Sequence, residues 1–200
     1  MEKRILIITG DGGECYEVLY AYHRFMEAGF APTLAAPSKR MLNLVMHDFE
    51  EGWDTYVERP GYRMQADMTI MEAEPADFDA ILLIGGRAPE YLRNDPVLRA
   101  LVRKFDAAGK WIFALCHGIQ ILTASGLAKG RRLTCYEHVR CEVEACGGIF
   151  VASSCVRDGN FITAQTWQDH PPFFREVFAC LDTMAPAASR PDILSVGGTR

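Results

Sequence analysis

Hydrophobic positions along the chain follow two alternating patterns. Short, nearly continuous apolar runs, each followed by turn-forming residues, are typical of buried parallel strands. Four such runs lie at residues 4–9, 33–36, 80–84 and 111–115. Segments between them space their apolar residues three and four apart and end near glycines, as amphipathic helices do. These helices are predicted at residues 17–28, 96–108 and 118–125.

The alternation of strands and helices predicts an α/β fold, with a parallel sheet covered by helices on both faces. Further strand-like runs follow at residues 149–151, 155–157 and 161–164, and a last helix is predicted at 172–181. Residues 38–68 break the alternation and are rich in aromatic and charged side chains, so we interpret them as an insertion or short β-ribbon. One domain is predicted over residues 1–184, with a mobile tail of low apolar content over 185–200.

Composition narrows the classes of protein to consider. The chain has 200 residues, of which 49% are hydrophobic and 24% charged, and its net charge is −5, which suits one soluble globular domain. The longest basic cluster, residues 129–132, is too short for a nucleic-acid surface, and no apolar run is long enough to span a membrane. The apolar stretch near the start of the chain is short enough for a buried strand, so we expect no export segment there.

The seven cysteines stand singly and lack the spacing of a disulfide framework or a zinc site. Without an export segment, this pattern favours reduced thiols in a cytoplasmic protein. We therefore expect no metal site.

Three stretches that carry chemical groups follow predicted strands. They are GDGGE at residues 10–14, GGRAPE at 85–90 and CHG at 116–118. Because the carboxyl ends of parallel strands meet at one edge of a sheet, where ligands bind, we expect these stretches to converge on a single site.

Cys116 lies where a predicted strand turns into a predicted helix. Such a turn exposes a nucleophile and aims it at backbone N–H groups, and a helix N-terminus lowers the pKa of a thiol. Neighbouring side chains rarely point the same way, so we expect His117 to contribute its backbone N–H, with its ring away from the thiol. Gly85 and Gly86 are candidates for a further N–H donor, because substrate can approach their backbone closely.

Two carboxyl groups lie near the start of the first helix. Glu17 is predicted to cap or stabilise the helix N-terminus, whereas Glu14 is predicted to face the thiol, with a pKa raised by partial burial. Among the histidines, His170 is a candidate for lining the pocket. We interpret His47 and His138 as structural or exposed, and His23 as structural.

Five stretches, in order and spacing, resemble the DJ-1/PfpI (ThiJ/PfpI) superfamily over roughly residues 3–181: GGECYEV, GGRAPEYLR, ALCHGIQILTASG, KGRRLTCY and DGNFITAQT. The resemblance implies a flavodoxin-like three-layer sandwich with a nucleophile elbow, which associates as dimers or larger rings such as trimers and hexamers. Residues 47–62 look like the insertion of the plant DJ-1D type, whose members resemble glyoxalase III enzymes. Members of the PfpI type are described as proteases or amidases.

The resemblance also implies roles for individual residues. Cys116 matches the family's nucleophile, Glu14 the acid that hydrogen-bonds its sulfur, and His117 the histidine that follows it. Residues of the glycine-rich motif match oxyanion-hole and substrate-binding positions: Gly85, Gly86 and Arg87. Glu90 matches a glutamate that reaches the histidine of a neighbouring subunit.

These observations favour a cofactor-independent, glyoxalase III-like enzyme that converts methylglyoxal or glyoxal to a 2-hydroxy acid through Cys116. Two further hypotheses use the same cysteine: a PfpI-like amidase or peptidase, and a non-catalytic redox-sensing or chaperone protein. The GDGG loop and Cys15 depart from the resemblance, so they bear on the shape of the pocket and hence on the substrate.

Overall fold

A seven-stranded sheet forms the centre of the protein in this computed structural model, which describes residues 3–182. Its strands are β1 (Arg4–Ile8), β2 (Ala31–Ala36), β5 (Met68–Thr69), β6 (Ala80–Leu83), β7 (Trp111–Leu115), β10 (Cys155–Asp158) and β11 (Phe161–Ala164). They lie in the order β10-β11-β7-β6-β1-β2-β5, and neighbouring strands are parallel except β10, which is antiparallel to β11. The tail predicted at 185–200 lies outside the described residues.

Six helices pack around the sheet in the described part of the chain. They are α1 (Cys15–Glu27), α2 (Ala88–Leu92), α3 (Pro96–Ala107), α4 (Ile119–Ala124), α5 (Arg140–Ala145) and α6 (His170–Asp182). Two short strands, β8 (Arg132–Leu133) and β9 (Ile149–Phe150), pair outside the main sheet. The predicted α/β class, with a mostly parallel sheet and surrounding helices, is confirmed.

The direction of strand addition reverses between β1 and β6. From β1 the chain passes through α1 to β2 on one side, whereas from β6 it passes through α3 to β7 on the other. Because such crossovers are right-handed, the reversal puts α1 and α3 on opposite faces of the sheet. It also opens a crevice at the carboxyl ends of β1 and β6, the usual place for a site in such folds.

Residues 41–65 form a two-stranded antiparallel ribbon within the segment predicted as an insertion or ribbon. Its strands are β3 (Met41–Asp48) and β4 (Val57–Gln65). The ribbon is tied to the loop after β1, since the N–H of Val45 donates to the carbonyl of Gly13 at 2.9 Å. It is also tied to α1, because the Cys15 sulfur accepts the N–H of Tyr62 at 3.2 Å. Cys15 therefore holds the ribbon in place.

Two helix starts differ from the predicted ones for local reasons. Helix α1 begins at Cys15 because the side chain of Glu14 caps it and accepts the N–H of Glu17. Helix α6 begins at His170, two residues before its predicted start, because proline is tolerated in the first turn of a helix. No helix among residues 3–182 is long and apolar enough to cross a membrane.

Candidate active site

Cys116 occupies a sharp turn between β7 and a 3-10 turn, Cys116–Gly118, that leads into α4. Its φ is 53°, and within the described residues it alone among non-glycine residues has a positive φ. This left-handed conformation costs an L-residue about 1–2 kcal/mol. The turn packs tightly against β6, because a Cβ placed on Gly118 would lie 2.3 Å from the carbonyl oxygen of Leu83. The backbone thus has the form of the predicted nucleophile elbow.

The thiol of Cys116 is buried, with 8% of the residue exposed. Burial and the charge of Glu17 raise its pKa well above the ordinary value, although the backbone N–H groups of His117 and Gly86 act to lower it. The predicted lowering of the thiol pKa is therefore wrong, because loss of water outweighs the local N–H groups.

The ring of His117 contacts the thiol, since its Nδ1 lies 3.3 Å from the Cys116 sulfur. The expectation that this ring points away is wrong. Adjacent side chains point apart in regular backbone, and the left-handed φ of Cys116 removes that regularity. Burial and the nearby His47 lower the pKa of His117 to about 4, so the ring is neutral at neutral pH.

Both carboxyl groups lie near the thiol, and Glu14 rather than Glu17 caps α1. Glu14 caps α1 through a 2.7 Å hydrogen bond from the N–H of Glu17. Glu17 itself is fully buried, and its Oε2 accepts the N–H of Gly85 at 2.7 Å. A Cβ on Gly85 would lie 2.6 Å from the Cβ of Cys116 and 2.9 Å from Glu17 Oε2, so glycine lets both side chains meet there. Glu17 therefore points inward toward Gly85, which adjoins Cys116, whereas Glu14 lines the pocket that opens onto the thiol.

Both carboxyl groups bind protons more tightly than usual. Burial, with a contribution from the charge of Asp48, raises the pKa of Glu14 to about 7. Burial and the charge of Glu14 raise the pKa of Glu17 well above its ordinary value. The raised pKa favours the protonated form of Glu17, and among residues 3–182 its buried Oε1 has no hydrogen-bond partner.

A narrow pocket opens onto the thiol. It leaves about 10 Å³ for the centre of a water-sized group, roughly what one water needs. Aromatic side chains form much of its wall, and the ribbon closes one side of it. Its lining residues are Glu14, His47, Phe49, Tyr56, Cys116, His117, Tyr136, Thr166 and Trp167.

The chain matches the DJ-1/PfpI family model over residues 3–179, nearly all of the described residues. The chain belongs to the DJ-1/PfpI family. The resemblance stated from the motifs is confirmed.

Relatives of two kinds illustrate the match to the DJ-1/PfpI family. Protein/nucleic acid deglycase 2 of Escherichia coli is 39% identical over 182 residues, which cover 90% of this chain and 99% of the relative. Protein DJ-1 homolog D of Arabidopsis thaliana is 34% identical over 186 residues, which cover 90% of this chain and 48% of the relative. The chain thus spans about half the length of that plant relative.

Among solved structures, a DJ-1 superfamily protein from Salmonella typhimurium superposes with a TM-score of 0.74 at 27% identity. The match covers 90% of this chain and 91% of that one. The fold and the deglycase-named relatives together support an enzyme of the DJ-1/PfpI type.

His47 is a pocket residue that sequence reasoning missed. The sequence favours a structural or exposed role for it, but it is 5% exposed and lines the pocket of this family member. Its ring lies 4.2 Å from that of Tyr56, between ring centroids. Only the folding of the ribbon back over Cys116 brings it there, and no local pattern in the sequence signals that contact.

His170 does not line the pocket, contrary to prediction. It is 2% exposed, and its ring stacks on that of Tyr20 at 4.7 Å, between α1 and α6. Because α6 begins at His170, the first helical turn directs this ring toward α1. The neighbouring Thr166 and Trp167 reach the pocket in its place.

The glycine-rich motif is used differently from the prediction. The N–H of Gly85 is engaged by Glu17, so only that of Gly86 faces the sulfur. The side chain of Arg87 does not line the pocket, because its Nε donates to both carboxylate oxygens of Glu58 at 3.0 Å. Glu90 is exposed on α2, and its contact with a neighbouring subunit stays a prediction.

Within residues 3–182, no group of three or more histidine, cysteine, aspartate or glutamate side chains is arranged to hold a metal ion. The chemistry available at the site is that of a buried thiol, an imidazole and two buried carboxyl groups with raised pKa values.

Proposed function

We propose that this protein is a cofactor-independent, glyoxalase III-like enzyme that converts a small 2-oxoaldehyde, such as methylglyoxal or glyoxal, and water into a 2-hydroxy acid. One observation carries the proposal: the thiol of Cys116 contacts the His117 imidazole at the end of a narrow pocket, next to Gly85, whose N–H binds the buried Glu17 carboxyl group. Relatives named deglycase and DJ-1 homolog support an enzyme of this family.

The first step is addition of the Cys116 sulfur to the aldehyde carbon. The thiol proton passes to His117 Nδ1, 3.3 Å away, and from there to the new alkoxide oxygen. The product is a hemithioacetal that keeps the ketone next to it. A soft thiol is the suitable nucleophile because it adds readily to aldehydes and can later leave.

The second step moves hydrogen between the two substrate carbons. His117 takes the proton from the former aldehyde carbon while Glu17 gives its own proton to the ketone oxygen, which forms an enediol. His117 then protonates the second carbon, and Glu17 recovers a proton from the first hydroxyl. The result is a thioester of Cys116 with a 2-hydroxy acid, and both side chains return to their starting states.

Water then hydrolyses the thioester, which releases the 2-hydroxy acid and restores the thiol. Removal of the same aldehyde from an amine adduct, which is deglycation, would share this path. The Cys116 sulfur forms a C–S bond to the former aldehyde carbon as the C–N bond breaks and the amine leaves, which gives the same hemithioacetal. The deglycase names of relatives favour this related activity as a second candidate.

The size of the pocket weighs against an amidase or peptidase, and the state of the thiol weighs against a redox sensor. A narrow pocket lined largely by aromatic side chains suits a small substrate better than a peptide. A redox sensor needs an accessible thiolate, whereas the thiol of Cys116 is buried and its pKa is raised.

Production of lactate from methylglyoxal without glutathione tests the proposal. We expect Cys116→Ser and Glu17→Gln to lower kcat/KM by about 100-fold or more, as loss of a nucleophile or a proton-transfer group does. Cys180→Ser is the matched control, because Cys180 is a buried thiol on α6 outside the pocket lining and its variant should keep most of the activity.

Lactate formation by Cys116→Ser at the wild-type rate would overturn the proposal. Release of an amine from a model amide, without lactate formation, would instead favour an amidase.

A further inference from the structure

The pocket contains a second imidazole that the steps above do not use. His47, near the end of β3, lines the pocket, and its Nε2 lies 3.0 Å from Oε2 of Glu58 on β4. Glu58 in turn accepts the Nε–H of Arg87 through both carboxylate oxygens. The three side chains form a continuous chain from the loop after β6, through the ribbon, into the pocket.

This arrangement holds the His47 ring as a base. The carboxylate of Glu58 fixes the tautomer with hydrogen on Nε2, which leaves Nδ1 as the unprotonated nitrogen. Partial burial acts to raise the pKa of Glu58, but hydrogen bonds from His47 and Arg87 outweigh it and hold that pKa below its ordinary value. Glu58 therefore remains ionised and orients the ring.

The two pocket imidazoles differ in what they contact. His117 touches the sulfur at 3.3 Å, and no carboxylate lies at hydrogen-bond distance from its ring among the contacts of the described residues. His47 has a carboxylate partner, and among the contacts of the described residues no hydrogen bond joins its ring to the sulfur. One imidazole is thus placed for chemistry at the thiol, and the other for chemistry across the pocket.

We propose that His47, oriented by Glu58, is the base that activates the hydrolytic water in the last step, an inference that rests on the proposed function. His47 Nδ1 takes a proton from water as its oxygen bonds to the thioester carbonyl carbon. The tetrahedral intermediate then collapses, the C–S bond breaks, and the proton returns from His47 to the sulfur. The 2-hydroxy acid and the free thiol are the products.

The variant His47→Gln tests this assignment. Its first two steps should remain, so rapid mixing with methylglyoxal should consume one equivalent per site in a burst. Steady turnover should then fall by about 100-fold or more, as removal of a general base does. Quenching with hydroxylamine should yield lactic hydroxamate, because hydroxylamine captures the accumulated thioester and not a hemithioacetal.

Two further variants separate a chemical role from a structural one. His23→Gln makes the same change at an exposed position of α1 and should behave as wild type. Glu58→Gln keeps the His47 ring but removes its carboxylate partner, so turnover should fall about 10-fold or more, with a smaller yield of hydroxamate. Thermal unfolding of each variant shows whether the fold is kept, and Glu58→Gln carries the test if His47→Gln does not fold.

Two outcomes would overturn the assignment: His47→Gln with wild-type turnover, or reduced turnover without hydroxamate. These outcomes leave the proposed function intact if wild-type protein forms lactate and Cys116→Ser does not. Wild-type protein that forms no lactate would instead reject both.

Discussion

The positive φ of Cys116 predicts an unusual response to glycine at that position. With φ at 53°, any residue that has a Cβ is strained there, and glycine is not. Replacing alanine by glycine normally destabilises a buried site, through the lost methyl group and the greater freedom of the unfolded chain. At residue 116 the relief of strain should offset much of that loss.

The magnitude follows from comparison with a neighbouring position. Ala114 lies two residues earlier on β7 and is 1% exposed, so glycine there loses a buried methyl group without any relief of strain. The two alanine-to-glycine changes share their other contributions. Their effects on the free energy of unfolding should therefore differ by the strain of the left-handed conformation, about 1–2 kcal/mol.

The assay is urea unfolding of three variants at one protein concentration: Cys116→Ala as the reference, Cys116→Gly, and Cys116→Ala combined with Ala114→Gly. In a domain of this size, each kcal/mol corresponds to about 2–4 °C in Tm, so thermal unfolding resolves the difference as well. Equal destabilisation by glycine at both positions would show that residue 116 is not strained, and the elbow geometry would then be wrong.

Three other predictions test the site and its surroundings. Gly85→Ala places a Cβ 2.6 Å from that of Cys116, so it should destabilise the protein by about 1–3 kcal/mol and abolish turnover. Gly10→Ala is the control and should be tolerated, because the nearest atom to its Cβ would be 3.7 Å away. Equal effects of the two variants on urea unfolding would contradict this prediction. Burial lowers the pKa of His170 to about 4, so the unfolded chain binds more protons between about pH 6.5 and 4 and stability falls as pH decreases through that range. Between about pH 7 and 4.5, the free energy of unfolding should therefore fall by about 2–3 kcal/mol less in His170→Phe than in the wild-type protein. The same pH dependence in both proteins would refute this. Mild peroxide should oxidise the exposed thiols of Cys141 and Cys146 before that of Cys116, as peptide mass mapping can show, and the reverse order would favour a redox-sensing role.

The ribbon closes one side of the pocket and supplies part of its lining. Side chains of residues 47–56 supply three of the lining residues, namely His47, Phe49 and Tyr56. The N–H of the Trp167 indole donates to the carbonyl of His47 at 3.3 Å and ties the ribbon to the segment before α6. The ribbon and the segment before α6 are distant in sequence. The size of substrate that the pocket accepts and the position of the His47 ring therefore depend on how the ribbon docks.

Local patterns are sufficient for the main elements and for the position of the nucleophile. The apolar runs at residues 80–84 and 111–115 form β6 and β7, because buried parallel strands need apolar side chains on both faces. Cys116 is predictable at the elbow because a strand ends and a helix begins on either side of it. The family resemblance is also readable from motifs that are contiguous in the chain.

Only the tertiary structure decides which groups meet the thiol. Glu14 and Glu17 are three residues apart at the same helix start, and the sequence offers no signal for which one caps the helix and which one turns inward. His47 reaches the pocket through the docking of the ribbon, and His170 leaves it because its helix begins early. Sequence periodicity reports the backbone of each segment and the face that it buries. The choice of carboxyl group, the second imidazole and the raised thiol pKa arise from burial and from contacts between segments far apart in the chain, which periodicity does not encode.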